Sequence, residues 1–139
     1  MPSKRQLKKR MTMQPLEHFF IRENKGYIRI EISSIIYMEA QKNYVRVVTP
    51  ERYHLVLSTL TNMEELLAGG NIIRVHRSFL INLVYLSAFD HEKVKLSGFV
   101  IPVTENYYKS VEQAVILIGK AKPRIRKKYV KPPATALVV

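Results

Sequence analysis

The sequence predicts a mainly β domain carrying two helices. Three observations support this: apolar and polar residues alternate with period two through most of residues 16–103, turn signals separate the alternating runs at short intervals, and apolar residues take helical spacing in only two places. The first run, residues 17–22, leads into Glu23-Asn24-Lys25-Gly26, a polar turn closed by glycine. Residues 27–31 then place Ile28 and Ile30 on one face and Arg29 and Glu31 on the other. Ile32-Ser33-Ser34 is a local polar break, after which the continuously apolar Ile35-Ile36-Tyr37-Met38 predicts a strand buried on both faces. Gln41-Lys42-Asn43 turns the chain into residues 44–49, where Val45 and Val47 oppose Arg46, and Pro50-Glu51-Arg52 turns it again into residues 53–57. These pieces read as successive hairpins.

A short helix is predicted next. Ser58 or Thr59 can cap residues 60–68, where Leu60, Met63, Leu66 and Leu67 share a face and Gly69-Gly70 stops the turn. Strand character returns at residues 72–75, 79–81 and 83–89, and a hairpin around Ser97-Gly98 joins residues 93–96 to 99–103. Thr104 can cap a second helix running to Ile118, with Tyr107, Val111, Ala114, Val115 and Ile118 forming one apolar stripe that packs on the sheets.

Charge divides the chain of 139 residues into three parts. The net charge is +12, from 23 Lys and Arg against 11 Asp and Glu. Residues 1–10 carry five basic side chains and residues 119–139 carry seven, with no acid in either segment, so the block between them is formally neutral. The expected organisation is a basic N-terminal arm at residues 1–15, a domain at residues 16–118, and a basic, Pro-containing tail at residues 119–139. Such arms serve as solubilising extensions, as phosphate-binding arms or as membrane-surface patches, and composition alone leaves all three open. At 47% hydrophobic the chain has material for a core. With no Cys it has no disulfide scaffold, thiolate metal site or Cys nucleophile. The longest run without a charged or His residue is the twelve residues 78–89, short of the roughly 20 a membrane-spanning helix needs. The basic start is followed by no apolar segment, so no secretion signal is read there and a cytoplasmic location is expected.

Enzyme chemistry finds little support. His18, His54, His76 and His91 are scattered without metal-ligand spacing, and no nucleophile elbow, P-loop or dinucleotide-binding glycine pattern occurs. No catalytic residue, metal or small-molecule cofactor is therefore expected, and no membrane partner. The dense polar cluster is Arg74-Val75-His76-Arg77-Ser78, followed by Asn82. Arg77 offers a planar, permanently charged fork suited to phosphate or guanine edges, with a surface ion pair as the plainer use of the same group. His76, between strands, reads as a structural residue. Two further polar patches lie at strand ends: Gln41, Lys42, Asn43 and Tyr44, and the segment Thr104, Glu105, Asn106, Tyr107, Tyr108 and Lys109. Surface loops of this kind collect binding residues.

Together these segments carry a resemblance. Ile-x-Tyr-Met-Glu-Ala-x3-Tyr-Val-x-Val at residues 35–47, Ser-Thr-Leu at 58–60, Arg-Val-His-Arg-Ser-Phe-Leu-Ile-Asn at 74–82 and Ile-Pro-Val-Thr at 101–104 resemble the LytTR DNA-binding domain, the output domain of many bacterial two-component response regulators. The match spans about residues 16–118, and the RVHRSFLIN segment is its specific part. The resemblance implies an elongated stack of small antiparallel β-sheets that reads double-stranded DNA through loops. It implies a first loop in a major groove at Gln41, Lys42, Asn43 and Tyr44, with Tyr44 at the base-reading position. It implies a second in the next major groove at Thr104, Glu105 and Asn106, with Lys109 nearby. Arg77 and Ser78 then face the minor groove between them, with His76 orienting that segment. It also implies binding to direct-repeat sites, with two copies forming a homodimer on DNA.

This sequence departs from the family pattern at two points. Where the family often has a Ser-Arg pair, Thr104-Glu105 stands here, so Glu105 either alters base preference, accepting from cytosine N4, or pairs with a nearby cation and passes the contact to Asn106 or Lys109. Only about 15 residues precede the match, too few for a receiver domain, so a standalone regulator or an excised fragment is expected. The function expected is a sequence-specific transcriptional regulator. The alternative is a basic RNA-binding or ribosome-associated β domain, suggested by the arms but lacking an aromatic RNP pair or a GXXG loop.

Overall fold

The computed structural model describes residues 16–119, so the two basic arms fall, apart from Gly119, outside the described residues. Ten strands and two α-helices follow one another as β1 (His18–Glu23), β2 (Gly26–Glu31), β3 (Tyr37–Gln41), β4 (Tyr44–Val48), β5 (Tyr53–Leu57), α1 (Leu60–Leu66), β6 (Ile72–His76), β7 (Phe79–Asn82), β8 (Leu86–Phe89), β9 (Lys93–Leu96), β10 (Phe99–Pro102) and α2 (Glu105–Ala114). They make three antiparallel sheets: β1-β2, a five-stranded sheet in the order β5-β4-β3-β7-β6, and β10-β9-β8. The expected stack of small antiparallel sheets with a short helix and a C-terminal helix is thus the observed fold.

The five-stranded sheet is the middle layer, with a core on each face. On one face Met38, Val45, Val47 and Leu80 meet Ile21 and Ile30 of the β1–β2 hairpin and Leu60 and Met63 of α1. On the other, Tyr37, Val48, Val75 and Ile81 meet Val94, Leu96 and Ile101 of the third sheet and Val111 of α2. Leu80 and Ile81, adjacent in β7 and both fully buried, point into opposite cores, as strand geometry requires. Ile35 to Met38 are all buried, but only Tyr37 and Met38 belong to a strand, because β3 begins at Tyr37 and Ile35-Ile36 is extended chain after the 3₁₀ turn rather than part of the expected strand.

Local chemistry sets the turns. Ser97 (φ 46°) and Gly98 (φ 89°) both take left-handed backbone between the register partners Leu96 and Phe99. That is the primed two-residue turn whose twist matches an antiparallel pair. Thr59 Oγ1 accepts from the Asn62 amide at 3.0 Å and caps α1, while Gly69 (φ 91°) follows its end.

Three further expectations need correction. β2 does not continue into a hairpin with β3, because a 3₁₀ turn at Ile32–Ser34 intervenes and β2 pairs only with β1. The run 83–89 is a strand only over its second half, since Leu83–Tyr85 is another 3₁₀ turn. α2 ends at Ala114, four residues before the expected stop, and Val115 is extended (φ −130°, ψ 164°). Val111 is buried, but Ile116 and Ile118 are more than nine-tenths exposed, so the apolar stripe finds a surface only along its first part. The β-branched residues that follow are poor helix formers once nothing packs beneath them.

Candidate nucleic-acid interface

The order β5-β4-β3-β7-β6 inserts β7 beside β3, and this brings distant loops to one end of the middle sheet. β3 and β4 are joined through Lys42 and Asn43, with Gln41 and Tyr44 as register partners. Lys42 takes left-handed backbone (φ 54°), and all four residues of this loop are exposed. β3 pairs with β7 as far as Glu39 and Phe79, and the next bond along, Ala40 N–H to Ser78 C=O at 2.9 Å, fastens the first loop to the β6–β7 turn.

In the β6–β7 pair Arg74 faces Leu80 and His76 faces Phe79, which leaves Val75 as an extra residue in a bulge. The bulged Val75 carbonyl accepts from the Thr104 amide at 3.1 Å and ties the start of α2 to the same turn. Two backbone bonds therefore hold three loops together: 41–44 to 76–78 through Ala40 and Ser78, and 76–78 to 104–106 through Val75 and Thr104.

The turn itself is fixed from within. His76 Nδ1 accepts from the Ser78 amide at 3.0 Å, so this nitrogen carries no proton, and the ring lies edge-on to Phe79 at 5.5 Å between centroids. Arg74 Nε donates to the His76 carbonyl at 2.9 Å, another Arg74 nitrogen donates to the Arg77 carbonyl, and Arg74 Nη1 pairs with Glu64 at 2.8 Å. Arg77 is exposed and Ser78 half-buried. Thr104 sits at the N-cap of α2, but it caps with its backbone carbonyl, accepting from the Tyr107 and Tyr108 amides, rather than with its hydroxyl.

Ion pairing divides the basic side chains into two groups. Among the described residues, Arg29, Arg46, Arg52, Arg74 and Lys93 are engaged by carboxylates. Arg46 is further committed by stacking over Tyr53 at 4.4 Å. Lys42, Arg77 and Lys109 make no such pair there and stand exposed, as do Arg22, Lys25 and Lys95 elsewhere on the described surface. Glu105 is in the first turn of α2, where a negative charge suits the helix dipole, and its neighbour is His91 at 4.0 Å. His91 stacks on Tyr108 at 3.8 Å. Burial and the nearby carboxylate of Glu112 push the Tyr108 hydroxyl above the usual tyrosine range. Asn106 and Lys109 are exposed on the same helix.

The structure thus fastens together the three segments that carry the ten residues singled out in the sequence, Gln41, Lys42, Asn43 and Tyr44, Arg77 and Ser78, and Thr104, with Glu105, Asn106 and Lys109 following Thr104 on the first turns of α2. It adds Arg74 and Glu64, which the sequence reading did not use. Arg74 stood in the polar cluster, but its partner comes from α1. Elsewhere, a concavity of about 260 Å³ between α1 and the Ile32 turn is lined by Leu16, Leu67, Gly70, Ile72 and their neighbours, without a titratable side chain. No group of His, Asp or Glu that would hold a metal ion occurs among the described residues, and no helix there is long and apolar enough to cross a membrane.

Residues 25–116 match the model of the LytTr DNA-binding domain family. The chain belongs to the LytTR DNA-binding domain family. This is a family of regulatory DNA-binding domains found in response regulators, not of enzymes. The sensory transduction protein LytT of Bacillus subtilis (strain 168) is 29% identical over 95 residues, which cover 64% of this chain and 39% of that protein. The chain therefore spans about two fifths of that relative's length. Among solved structures, the LytTr DNA-binding domain of a Bacillus cereus protein described as a methyl-accepting/DNA response regulator superposes with a TM-score of 0.61. The superposition covers 71% of this chain and 96% of that one, and at 24% identity it shows the fold.

Proposed function

We propose that this LytTR domain is the sequence-reading part of a bacterial transcriptional regulator, acting on double-stranded DNA in the cytoplasm. The duplex lies along the end of the middle sheet, with Gln41, Lys42, Asn43 and Tyr44 in one major groove and Thr104, Asn106 and Lys109 at the next. Arg77 and Ser78 face the minor groove between them. The observation that carries this reading is the pair of backbone bonds, Ala40 to Ser78 and Val75 to Thr104, which fix three exposed loops in one row. The chemistry is apt. Amides such as Gln41 and Asn43 read adenine edges, and a guanidinium is drawn to a narrow, electronegative minor groove.

Two copies on a direct repeat would double the contact and sharpen specificity. The basic residues at 1–10 and 119–139 would add phosphate attraction that falls steeply with salt through counterion release. The domain limits at 15/16 and 118/119 follow from the same division of labour.

Selection from a random duplex pool tests the reading, repeated with Arg77→Ala and with residues 1–10 and 119–139 removed. The intact protein should recover a repeated motif, Arg77→Ala should weaken binding by roughly 1–3 kcal/mol, and removal of the arms should flatten the salt dependence without changing the motif. Recovery of no motif would overturn the sequence-specific reading, and a preference for single-stranded RNA over duplex DNA would favour the RNA-binding alternative.

A further inference from the structure

Four consecutive carbonyls in the β6–β7 turn each accept a hydrogen bond. Val75 accepts from the Thr104 amide, His76 from Arg74 Nε, Arg77 from the Arg74 guanidinium, and Ser78 from the Ala40 amide. The outer two bonds tie the turn to its neighbouring loops. Both inner ones come from the single side chain of Arg74, whose third nitrogen pairs with Glu64 at 2.8 Å. The Arg74 side chain is only 12% exposed and each of its three nitrogens already donates a hydrogen bond within the protein, so it is placed to hold the turn. Arg77, by contrast, projects from the turn into solvent.

We infer that Arg74, aimed by Glu64 of α1, is a positioning residue that locks the 76–78 turn in the one backbone shape from which Arg77 reaches DNA. The proposal rests on Arg77 being a DNA contact. The physical basis is the fork of the guanidinium. One rigid plane bridges two successive carbonyls, and a carboxylate opposite holds that plane while offsetting the cost of taking the charge largely out of water. An ammonium at the same place keeps the charge but holds one carbonyl at a time on a flexible stem. With the turn already ordered, binding does not have to immobilise Arg77's backbone, and that saving appears as affinity.

The experiment is a double-mutant cycle in the full chain, using the duplex recovered by selection with the wild type. Affinity is measured for the wild type, Arg74→Lys, Glu64→Gln, Arg77→Ala and the two combinations with Arg77→Ala. Amide order parameters at residues 76–78 are recorded by NMR in the free proteins. Arg74→Lys should weaken binding about tenfold with Arg77 present and less than about twofold without it. Glu64→Gln should show the same pattern in smaller measure, and the Arg77 and Ser78 amides should loosen in both single variants. A merely structural arginine would lower affinity equally in both backgrounds, and that result overturns the proposal. Amides at 76–78 that stay as rigid in Arg74→Lys as in the wild type overturn the clamp itself. An Arg77→Ala protein that binds as tightly as the wild type overturns instead the reading of Arg77 as a contact. The NMR arm needs no duplex, so the clamp is tested whether or not a motif is recovered.

Discussion

The Ala40 amide donates to the Ser78 carbonyl at 2.9 Å, and through that one bond the β3–β4 loop and the β6–β7 turn become a single surface. Neither loop is near the other in sequence; the insertion of β7 beside β3 makes them neighbours. A similar bond from Thr104 to Val75 adds the start of α2. The geometry of the candidate interface is therefore set by backbone groups at the end of the middle sheet.

Lys42 pairs a backbone strain with an exposed charge. A lysine at φ 54° sits in a region that costs an L-residue about 1 kcal/mol or more, whereas asparagine tolerates it better. Lys42→Asn should raise thermal stability slightly, lower DNA affinity, and reduce the slope of log affinity against log salt by about one unit. Melting curves and binding at several salt concentrations check both parts. Unchanged salt dependence would mean that Lys42 contacts no phosphate.

The proposed approach of α2 to DNA puts Glu105 at the point of contact. Its carboxylate favours the helix N-terminus, yet beside phosphates it repels. If its role is confined to the helix, Glu105→Gln should tighten DNA binding by roughly 0.2–1 kcal/mol, as for an exposed charge. If it reads a cytosine, the same variant should bind more weakly and lose the preference at one base position. Parallel affinity and selection measurements separate the two.

Asn82 holds the middle sheet to its flanking turns. Only 2% exposed, it donates through Nδ2 to the Ile35 carbonyl at 2.8 Å and to the Ile32 carbonyl at 3.3 Å, and it accepts from the Val84 amide at 3.0 Å. Asn82→Ala should leave these backbone groups without partners and destabilise the fold by about 2–4 kcal/mol. Denaturant unfolding measures this directly. A loss below about 0.5 kcal/mol, the range of ordinary surface changes, would contradict the assignment.

Asp90 should titrate as an acid held in its charged form. Its carboxylate accepts from the Glu92 amide at 2.8 Å and the Lys93 amide at 3.0 Å and pairs with Lys93 Nζ at 3.2 Å. The Glu92 amide first, and then the Lys93 side chain, hold its carboxyl below the ordinary value of 3.8. Because the folded-state value is depressed, the stabilisation is present above the unfolded-state value and is lost as pH falls through the folded-state one. An NMR titration should find the midpoint below 3.8; a midpoint at or above it would show that the turn does not hold the charged form.

What the sequence disclosed follows from the range of the interactions involved. Alternation exposed the strands, and turn chemistry exposed the Ser97-Gly98 hairpin and the Thr59 cap, because each is decided within a few residues. The end of α2 was not legible. Val115 and Ile118 continue the helical spacing, and only the absence of a surface beneath this stretch shows that the helix stops at Ala114. The interface residues were legible as a set through the segments they occupy, but their arrangement in one row depends on β3 pairing with β7. Arg74 lay in plain view within the polar cluster. Its role did not, because Glu64 reaches it from a different element.

Amide chemical-shift mapping tests the central claim most directly: the ¹⁵N-labelled chain is titrated with the duplex recovered by selection. The account predicts that the largest shifts fall together at residues 41–44, 76–78 and 104–109, while β1, β2 and the exposed face of β5 stay still. Shifts centred on β5 or the β1–β2 hairpin, or confined to one of the three loops, would contradict it.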